Sequence, residues 1–199
     1  QKNDFFAEAI GFFSDYSNLI GRCRISDFGC LADEEFSGGA VEIYGLETFA
    51  EYSTPLRETM TLSLKGSYTY TQSEFQDSFL SNFSQFGLVQ AGDELPYLPE
   101  HLANLDLSLT SSLWQLSANL KYQSKMREEP GSAGISSGLH ADDYEVLDLS
   151  AKWFVSEPLT LQILVRNALD DRSIVSHRPF GARPNLPRTL ILRAKYTFI

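Results

Sequence analysis

A strict alternation of apolar and polar residues over long segments is the feature that most constrains this sequence. From Met60 to Tyr70, every even position is apolar or glycine and every odd position is Thr, Ser or Lys. A period of two residues is that of a β-strand, whereas the faces of an α-helix repeat every 3.6 residues. The pattern recurs at 103–109, 114–122, 147–153 and 189–198. Less regular segments occur at 5–16, 40–52 and 159–167, so we predict about eight strands and no helix.

Strand length and aromatic placement point to a membrane. Several segments run to about 10 to 13 residues, which is longer than the five or six typical of soluble sheets and matches the 9 to 11 that cross a bilayer at a tilt. Aromatic residues bracket the rows of Leu and Ala, as they do at the interfaces of outer-membrane barrels; they are Tyr68, Tyr70, Trp114, Tyr122, Tyr144, Trp153, Tyr196 and Phe198. The sequence therefore predicts an all-β, antiparallel transmembrane β-barrel.

The connections between the segments alternate in length, and all eight prolines fall within them. Long connections span 17–39, 73–101, 125–142 and 170–187, and short ones span 53–59, 111–113 and 156–158. Outer-membrane barrels alternate in this way because their periplasmic turns are short and their extracellular loops long. The predicted localisation is the outer membrane of a Gram-negative bacterium. A soluble β-sandwich is the alternative, since its exposed face would also be polar.

Composition excludes two other classes of protein. The formal net charge is −10, which argues against nucleic acid as a partner because phosphate binding needs clustered cations. No apolar run approaches the roughly 18 residues of a membrane helix. Eight charged residues fall on the polar face of the strands, where a barrel interior needs no catalytic explanation for them; they are Lys65, Asp106, Lys121, Asp148, Lys152, Arg166, Arg193 and Lys195.

The two cysteines, Cys23 and Cys30, lie seven positions apart in the first long connection. Gly29 and Asp27 between them allow the chain to turn back, so we predict a loop disulfide, which requires an oxidising compartment. Free thiols and a zinc pair are the alternatives, although zinc sites have closer spacing and further ligands nearby.

Motifs near the end of the chain resemble those of the TonB-dependent outer-membrane receptors, in the C-terminal part of their barrel. The motifs are 165–172 (VRNALDDR), 178–184 (RPFGARP), 187–189 (PRT) and 196–199 (YTFI). Upstream, 38–39 (GG), 45–47 (GLE) and 95–101 (LPYLPEH) are similar to the ferric citrate and siderophore branch of that family.

The resemblance implies a barrel of 22 strands with an N-terminal plug that binds TonB. Residues 1–199 are then a C-terminal barrel segment without the plug and the N-terminal strands. It also implies that the barrel-assembly machinery recognises the last strand, although family members usually end on the aromatic residue whereas Ile199 follows Phe198 here. A closed eight-stranded barrel is the alternative, since eight strands can close.

The sequence contains no recognisable catalytic constellation, metal-spaced histidine cluster or phosphate loop. His101, His140 and His177 lie far apart in predicted loops. We therefore predict no enzymatic activity, no metal site and no cofactor.

Binding residues are expected in the long loops. Arginine suits an anionic ferric chelate because its planar guanidinium group can donate two hydrogen bonds to one carboxylate. Tyr97 and Phe180 are expected to line the same vestibule. The predicted ligand-binding residues are Arg22, Arg24, Tyr97, Arg127, Arg172, Arg178, Phe180 and Arg183. The alternative is that these arginines pair with acidic residues of the same loops.

The function implied by the resemblance is TonB-coupled uptake of a ferric chelate such as ferric citrate or a siderophore. Outer-membrane lipid and lipopolysaccharide would surround the barrel. Uptake of cobalamin or an oligosaccharide, and a non-transporting surface barrel with a structural or adhesive role, are the alternatives.

Overall fold

In the computed structural model, residues 4–24, 30–83, 85–135, 140–178 and 181–198 are described. Eight strands form a single antiparallel sheet in which each strand pairs with the next along the chain. They are β1 (Asp4–Tyr16), β2 (Val41–Arg57), β3 (Met60–Phe75), β4 (His101–Ser111), β5 (Trp114–Gln123), β6 (Tyr144–Ser156), β7 (Leu159–Arg166) and β8 (Thr189–Tyr196). The prediction of an all-β antiparallel fold with about eight long strands is confirmed.

The sheet is open. β1 and β8 form its two edges, and the described residues show neither a pairing between these edges nor a second large sheet. The closed eight-stranded barrel and the β-sandwich are therefore not the architecture of the described chain. Among these residues, no helix has the length and hydropathy that a transmembrane helix needs.

The two faces of the sheet differ as the alternation predicts. Tyr52, Leu64, Leu107, Ala118 and Leu149 form one row across five strands. The neighbouring row on the opposite face contains mostly serines, namely Ser53, Ser63, Ser108, Ser117 and Ser150. We call the first surface the outer face and the second the inner wall. The outer face carries continuous rows of exposed apolar side chains, as the lipid-facing side of a transmembrane β-barrel does.

The register places the eight charged residues named in the sequence analysis on the inner wall, as predicted. Lys65 pairs with Glu51 at 3.1 Å. The Asn119 amide donates to Asn104 at 2.9 Å and to Asp106 at 2.7 Å. These contacts satisfy polar groups on a wall that faces away from lipid.

Two predictions about the connections between strands are wrong, namely the position of Pro55 and the length of the turn between β2 and β3. β2 continues beyond Tyr52 to Arg57, so Pro55 lies inside a strand and the turn shrinks to Glu58 and Thr59. The register shifts between Pro55 and Arg57, and such a bulge tolerates a proline that cannot donate a hydrogen bond. Pro184 lies in a two-residue strand that is itself part of the last long connection, so its position agrees with the prediction.

His101 was also expected in a loop. Instead, it is the first residue of β4 and pairs with Tyr70. Its Nδ1 atom lies 2.9 Å from the Tyr68 hydroxyl, so its ring belongs to the aromatic rows of the sheet.

The alternation of long and short connections is confirmed. Short turns join β2 to β3, β4 to β5 and β6 to β7, whereas the first (17–40), second (76–100), third (124–143) and fourth (167–188) loops are long. Because consecutive strands are antiparallel, all four long loops leave the same end of the sheet. Each contains a small hairpin; the pairs are Ile20–Arg22 with Glu35–Ser37, Phe79–Leu80 with Leu88–Val89, Met126–Arg127 with His140–Ala141, and Ile174–Ser176 with Arg183–Pro184.

Candidate functional site

The four long loops fold against one another at their end of the sheet. An aromatic cluster joins the first two. Phe36 of the first loop stacks on Phe83 of the second at 4.4 Å between ring centroids, and Phe86 meets Phe36 edge-on at 5.6 Å. Gly21 lies beneath Phe36, where a Cβ atom would come within 2.2 Å of the ring. Below the cluster, Val41, Phe75 and Val89 form a small buried core, so aromatic packing fixes these loops to the sheet.

Backbone hydrogen bonds join the second, third and fourth loops. The Tyr97 amide donates to the Arg127 carbonyl at 2.9 Å, and the Asp142 amide donates to the Ile174 carbonyl at 2.8 Å. The Asp142 carboxylate in turn accepts a hydrogen bond from the Ile174 amide at 2.7 Å. These bonds make the three loops one connected structure.

Glu128 lies at the centre of this junction and is 2% exposed. Its Oε1 atom accepts the His177 amide of the fourth loop at 2.6 Å, and its backbone carbonyl accepts the Gln85 amide group of the second loop at 3.2 Å. The His177 Nδ1 atom lies 3.4 Å from the same Oε1 atom. A buried carboxylate is costly unless it is hydrogen-bonded, so this one depends on the three loops staying together.

Tyr97 belongs to the same junction. Its backbone has a φ of +58°, which is uncommon for a residue other than glycine. Its hydroxyl lies 3.4 Å from the Ser176 Oγ atom. Burial raises the pKa of Tyr97, and the Ser176 hydrogen bond partly offsets that effect.

The predicted arginines fall into two groups. The structure brings Arg127, Arg178 and Arg183 together with Tyr97 at the junction of the second, third and fourth loops. Arg22 and Arg24 are exposed in the first loop, and Arg172 is exposed beside Asp170 at the start of the fourth. Phe180 lies outside the described residues.

Most of these arginines contact a carboxylate. Arg22 pairs with Glu35 at 2.8 Å, Arg127 with Glu94 at 2.8 Å, Arg172 with Asp170 at 2.9 Å and Arg178 with Glu129 at 2.5 Å. Arg183 donates to the Arg178 carbonyl. An anionic ligand would therefore have to share or displace these partners.

A disulfide joins Cys23 and Cys30 in the first loop, and Cys23 is buried. The backbone around Cys23 is also fixed, because its amide donates to the Glu34 carbonyl at 2.9 Å and its carbonyl accepts the Asp33 amide at 2.8 Å. Residues 25–29, which the disulfide encloses, lie outside the described part of the chain.

The residues that sequence reasoning missed are structural ones at the base of the fourth loop. Asn167 is buried and has a φ of +48°. Its amide nitrogen donates to the carbonyls of Asp171 and Leu186, its side-chain oxygen accepts the Asp171 amide, and its backbone amide donates to Asp148. The motif at 165–172 contained this residue, but nothing in the motif revealed that it ties β6, β7 and the start of β8 together.

Two acidic residues beside Asn167 have lowered pKa values. For Asp170, a hydrogen bond from Arg172 lowers the pKa most. For Asp171, partial burial opposes ionisation, but hydrogen bonds from Ser173 and Asn185 outweigh it and lower the pKa. Both carboxylates therefore favour the charged form that anchors the loop.

Within the described ranges, no three His, Cys, Asp or Glu side chains are grouped so that they could hold a metal ion.

The model of the family described as "TonB dependent receptor-like, beta-barrel" matches residues 1–168. The chain belongs to this family. An iron-regulated outer membrane virulence protein of Vibrio cholerae is 30% identical over 190 residues, which cover 88% of this chain and 26% of that protein. The chain thus spans about a quarter of the length of that relative.

Solved structures show the same fold. The ferric-catecholate import receptor Fiu of Escherichia coli K12 superposes with a TM-score of 0.68 at 20% identity, over 98% of this chain and 25% of that one. The siderophore receptor PiuA of Acinetobacter baumannii gives a TM-score of 0.67 at 17% identity, over 96% and 26%. The chain is therefore part of an outer-membrane β-barrel whose long loops are extracellular and whose short turns are periplasmic.

Proposed function

We propose that this chain is the C-terminal barrel segment of a receptor for TonB-coupled uptake of a ferric chelate, such as ferric citrate or a siderophore. The observation that carries the proposal is the grouping of Arg127, Arg178 and Arg183 with Tyr97 where three extracellular loops meet. The names of the relatives, which are an iron-regulated protein and two siderophore or ferric-catecholate receptors, support iron as the cargo.

In this proposal, the loops recognise the chelate and the energy for its passage comes from TonB through a plug elsewhere in the full-length protein. Arg22, Arg24, Arg172 and Phe180 remain further proposed contacts. Lipid and lipopolysaccharide surround the outer face, and the barrel-assembly machinery recognises the last strand. None of these roles requires the segment to catalyse a reaction.

The test is a fluorescence-quenching titration of the full-length receptor in detergent with ferric citrate, a ferric hydroxamate, iron-free citrate and cobalamin. We expect saturable quenching by one ferric chelate and none by iron-free citrate. A response to cobalamin alone would reassign the cargo, and no response to any of them would favour a non-transporting barrel.

A matched pair of variants locates the binding site. Because each charge-assisted hydrogen bond contributes about 1.5 kcal/mol, Arg178→Gln should weaken binding of the chelate by about tenfold. Arg57→Gln removes an equally charged side chain at the opposite end of the sheet and should leave the affinity unchanged. Equal effects of the two substitutions would place the ligand elsewhere.

A further inference from the structure

The charges on the inner wall change sign across the sheet. On β1 and β2, every charged side chain that the register places on this wall is acidic; these residues are Asp4, Glu8, Glu47 and Glu51. Lys65 on β3 forms an ion pair with Glu51. On the periplasmic half of β6, β7 and β8, every charged side chain on the same wall is basic; these residues are Lys152, Arg193 and Lys195. We call these three residues the basic strip.

The three cations of the basic strip lie close together. Lys152 and Arg193 flank Gln162 in one row across β6, β7 and β8, and Lys195 occupies the next position of this wall toward the periplasm. Strand spacing and rise place Arg193 about 10 Å from Lys152 and about 7 Å from Lys195 along the backbone. The Debye length at physiological ionic strength is about 8 Å. The electrostatic fields of the three cations therefore overlap.

No acidic side chain of the described chain neutralises the basic strip. The Lys152 ammonium group donates to the Gln115 side-chain oxygen at 3.2 Å, which is a neutral partner. Arg193 and Lys195 are exposed, and neither forms an ion pair with another described residue. The Asp148 carboxylate, nearer the loops, accepts a hydrogen bond from the Asn167 amide. Unpaired cations cost little where they face water, whereas burial beneath a protein surface would require a carboxylate for each of them.

We propose that the basic strip attracts anions to the periplasmic half of the lumen, so that an anionic solute leaves the barrel along β6 to β8. The acidic residues of β1 and β2 repel the same solute, so the field across the wall directs it toward the strip. The attraction of anions follows from the strip alone. The identification of the anion as a ferric chelate rests on the proposed function.

The experiment compares two small thiol reagents on single cysteines in the full-length receptor, namely an anionic sulfonate and a cationic quaternary ammonium methanethiosulfonate. Gln162→Cys lies between Lys152 and Arg193, and Thr69→Cys lies directly opposite Glu47 on the acidic side. The measured quantity is the ratio of the anionic to the cationic reaction rate at each cysteine. Neither reagent is a chelate and uptake is not measured, so the result stands even if the receptor binds no ferric chelate.

At low ionic strength, we expect this ratio to be at least about tenfold higher at Gln162→Cys than at Thr69→Cys, because cations flank the first thiol and a carboxylate faces the second. In 1 M salt the Debye length falls to about 3 Å, so most of the difference should disappear. Adding Lys152→Gln and Arg193→Gln to Gln162→Cys should lower the ratio to a similar extent. Lys121→Gln removes a cation near the loop end of β5 and is the matched control, which should leave the ratio unchanged.

Two results would overturn the proposal. Equal ratios at the two cysteines, or a ratio at Gln162→Cys that is insensitive to the double substitution, would show that the strip does not attract anions. Reaction of Gln162→Cys only after denaturation in urea would show that a protein surface covers the strip, which leaves no space for a solute there.

Discussion

At the scale of single residues, the base of the fourth loop depends on Asn167. Its side chain makes three hydrogen bonds to backbone groups, and its positive φ suits Asn better than most residues. We expect Asn167→Ala to lower the free energy of unfolding by about 2 to 4 kcal/mol, because it leaves buried backbone groups unpaired. Urea titration of the full-length receptor in detergent measures this.

Asn167→Gly is the matched control for that substitution. It removes the same hydrogen bonds but accepts the positive φ without strain. It should therefore be less destabilising than Asn167→Ala by about 1 kcal/mol. Unchanged stability of both variants would contradict the anchoring role of the side chain.

Asp171 makes the stability of the base of the fourth loop depend on pH. Because its pKa is lowered in the folded state, its stabilising contribution is present above the unfolded value of about 3.9 and is lost as the pH falls through the lower folded value. We expect the melting temperature of the receptor to fall in this acidic range, and to fall less in Asp171→Asn. Parallel pH profiles for the two proteins would show that Asp171 is not responsible.

At the scale of secondary-structure elements, the sequence predicted a strand correctly wherever one face of that strand is polar and the other apolar. β3 to β6 and β8 alternate cleanly and were recognised with nearly correct ends. β1 and β2 were blurred because Phe6, Phe12 and Phe49 place aromatic rings on the inner wall. Alternation indicates a strand only when its two faces meet different surroundings. The alternation of β1 and β2 is thus blurred by the aromatic rings on their inner side.

Gly45 of β2 allows a close approach that the sequence did not reveal. A Cβ atom there would lie 1.9 Å from the Tyr70 carbonyl oxygen and 2.7 Å from the Phe12 ring. We expect Gly45→Ala to destabilise the barrel by about 1 to 3 kcal/mol, since backbone must shift to admit the methyl group. The measurement is again the urea midpoint of the full-length receptor.

Gly66 of β3 provides the control, because its added Cβ atom would be 3.7 Å from Leu105, an ordinary contact. Gly66→Ala should be neutral, or stabilising by a few tenths of a kcal/mol, because it restricts the unfolded chain. If both substitutions were equally tolerated, the close approach at Gly45 would not constrain the strand.

At the scale of the whole molecule, the loop assembly could be predicted only in part. The alternation in length gave the positions of the long loops, and the arginines within them were predicted as ligand-binding residues. The partners of Arg127 and Arg178 were not predictable, because Glu94 and Glu129 lie 33 and 49 residues away from them and belong to other loops. Which loops meet is decided by packing at the end of the sheet, and local sequence does not encode it.

Substitution of Glu128 tests whether the second, third and fourth loops behave as one structure. Its buried carboxylate and its backbone carbonyl connect the third loop to the fourth and the second. Glu128→Ala leaves the His177 amide unpaired and opens a cavity, so we expect faster hydrogen exchange at amides that join the loops, among them Tyr97 and Asp142. Hydrogen exchange with mass spectrometry on the full-length receptor resolves these segments.

The neighbouring residue supplies the control for this prediction. Glu129→Gln removes only a half-exposed ion pair with Arg178, and such pairs typically contribute less than about 1 kcal/mol. Its exchange should resemble that of the wild type. If Glu128→Ala changed exchange only at His177, the loops would move independently. If exchange rises in all three loops together, the three loops open as a single cooperative unit.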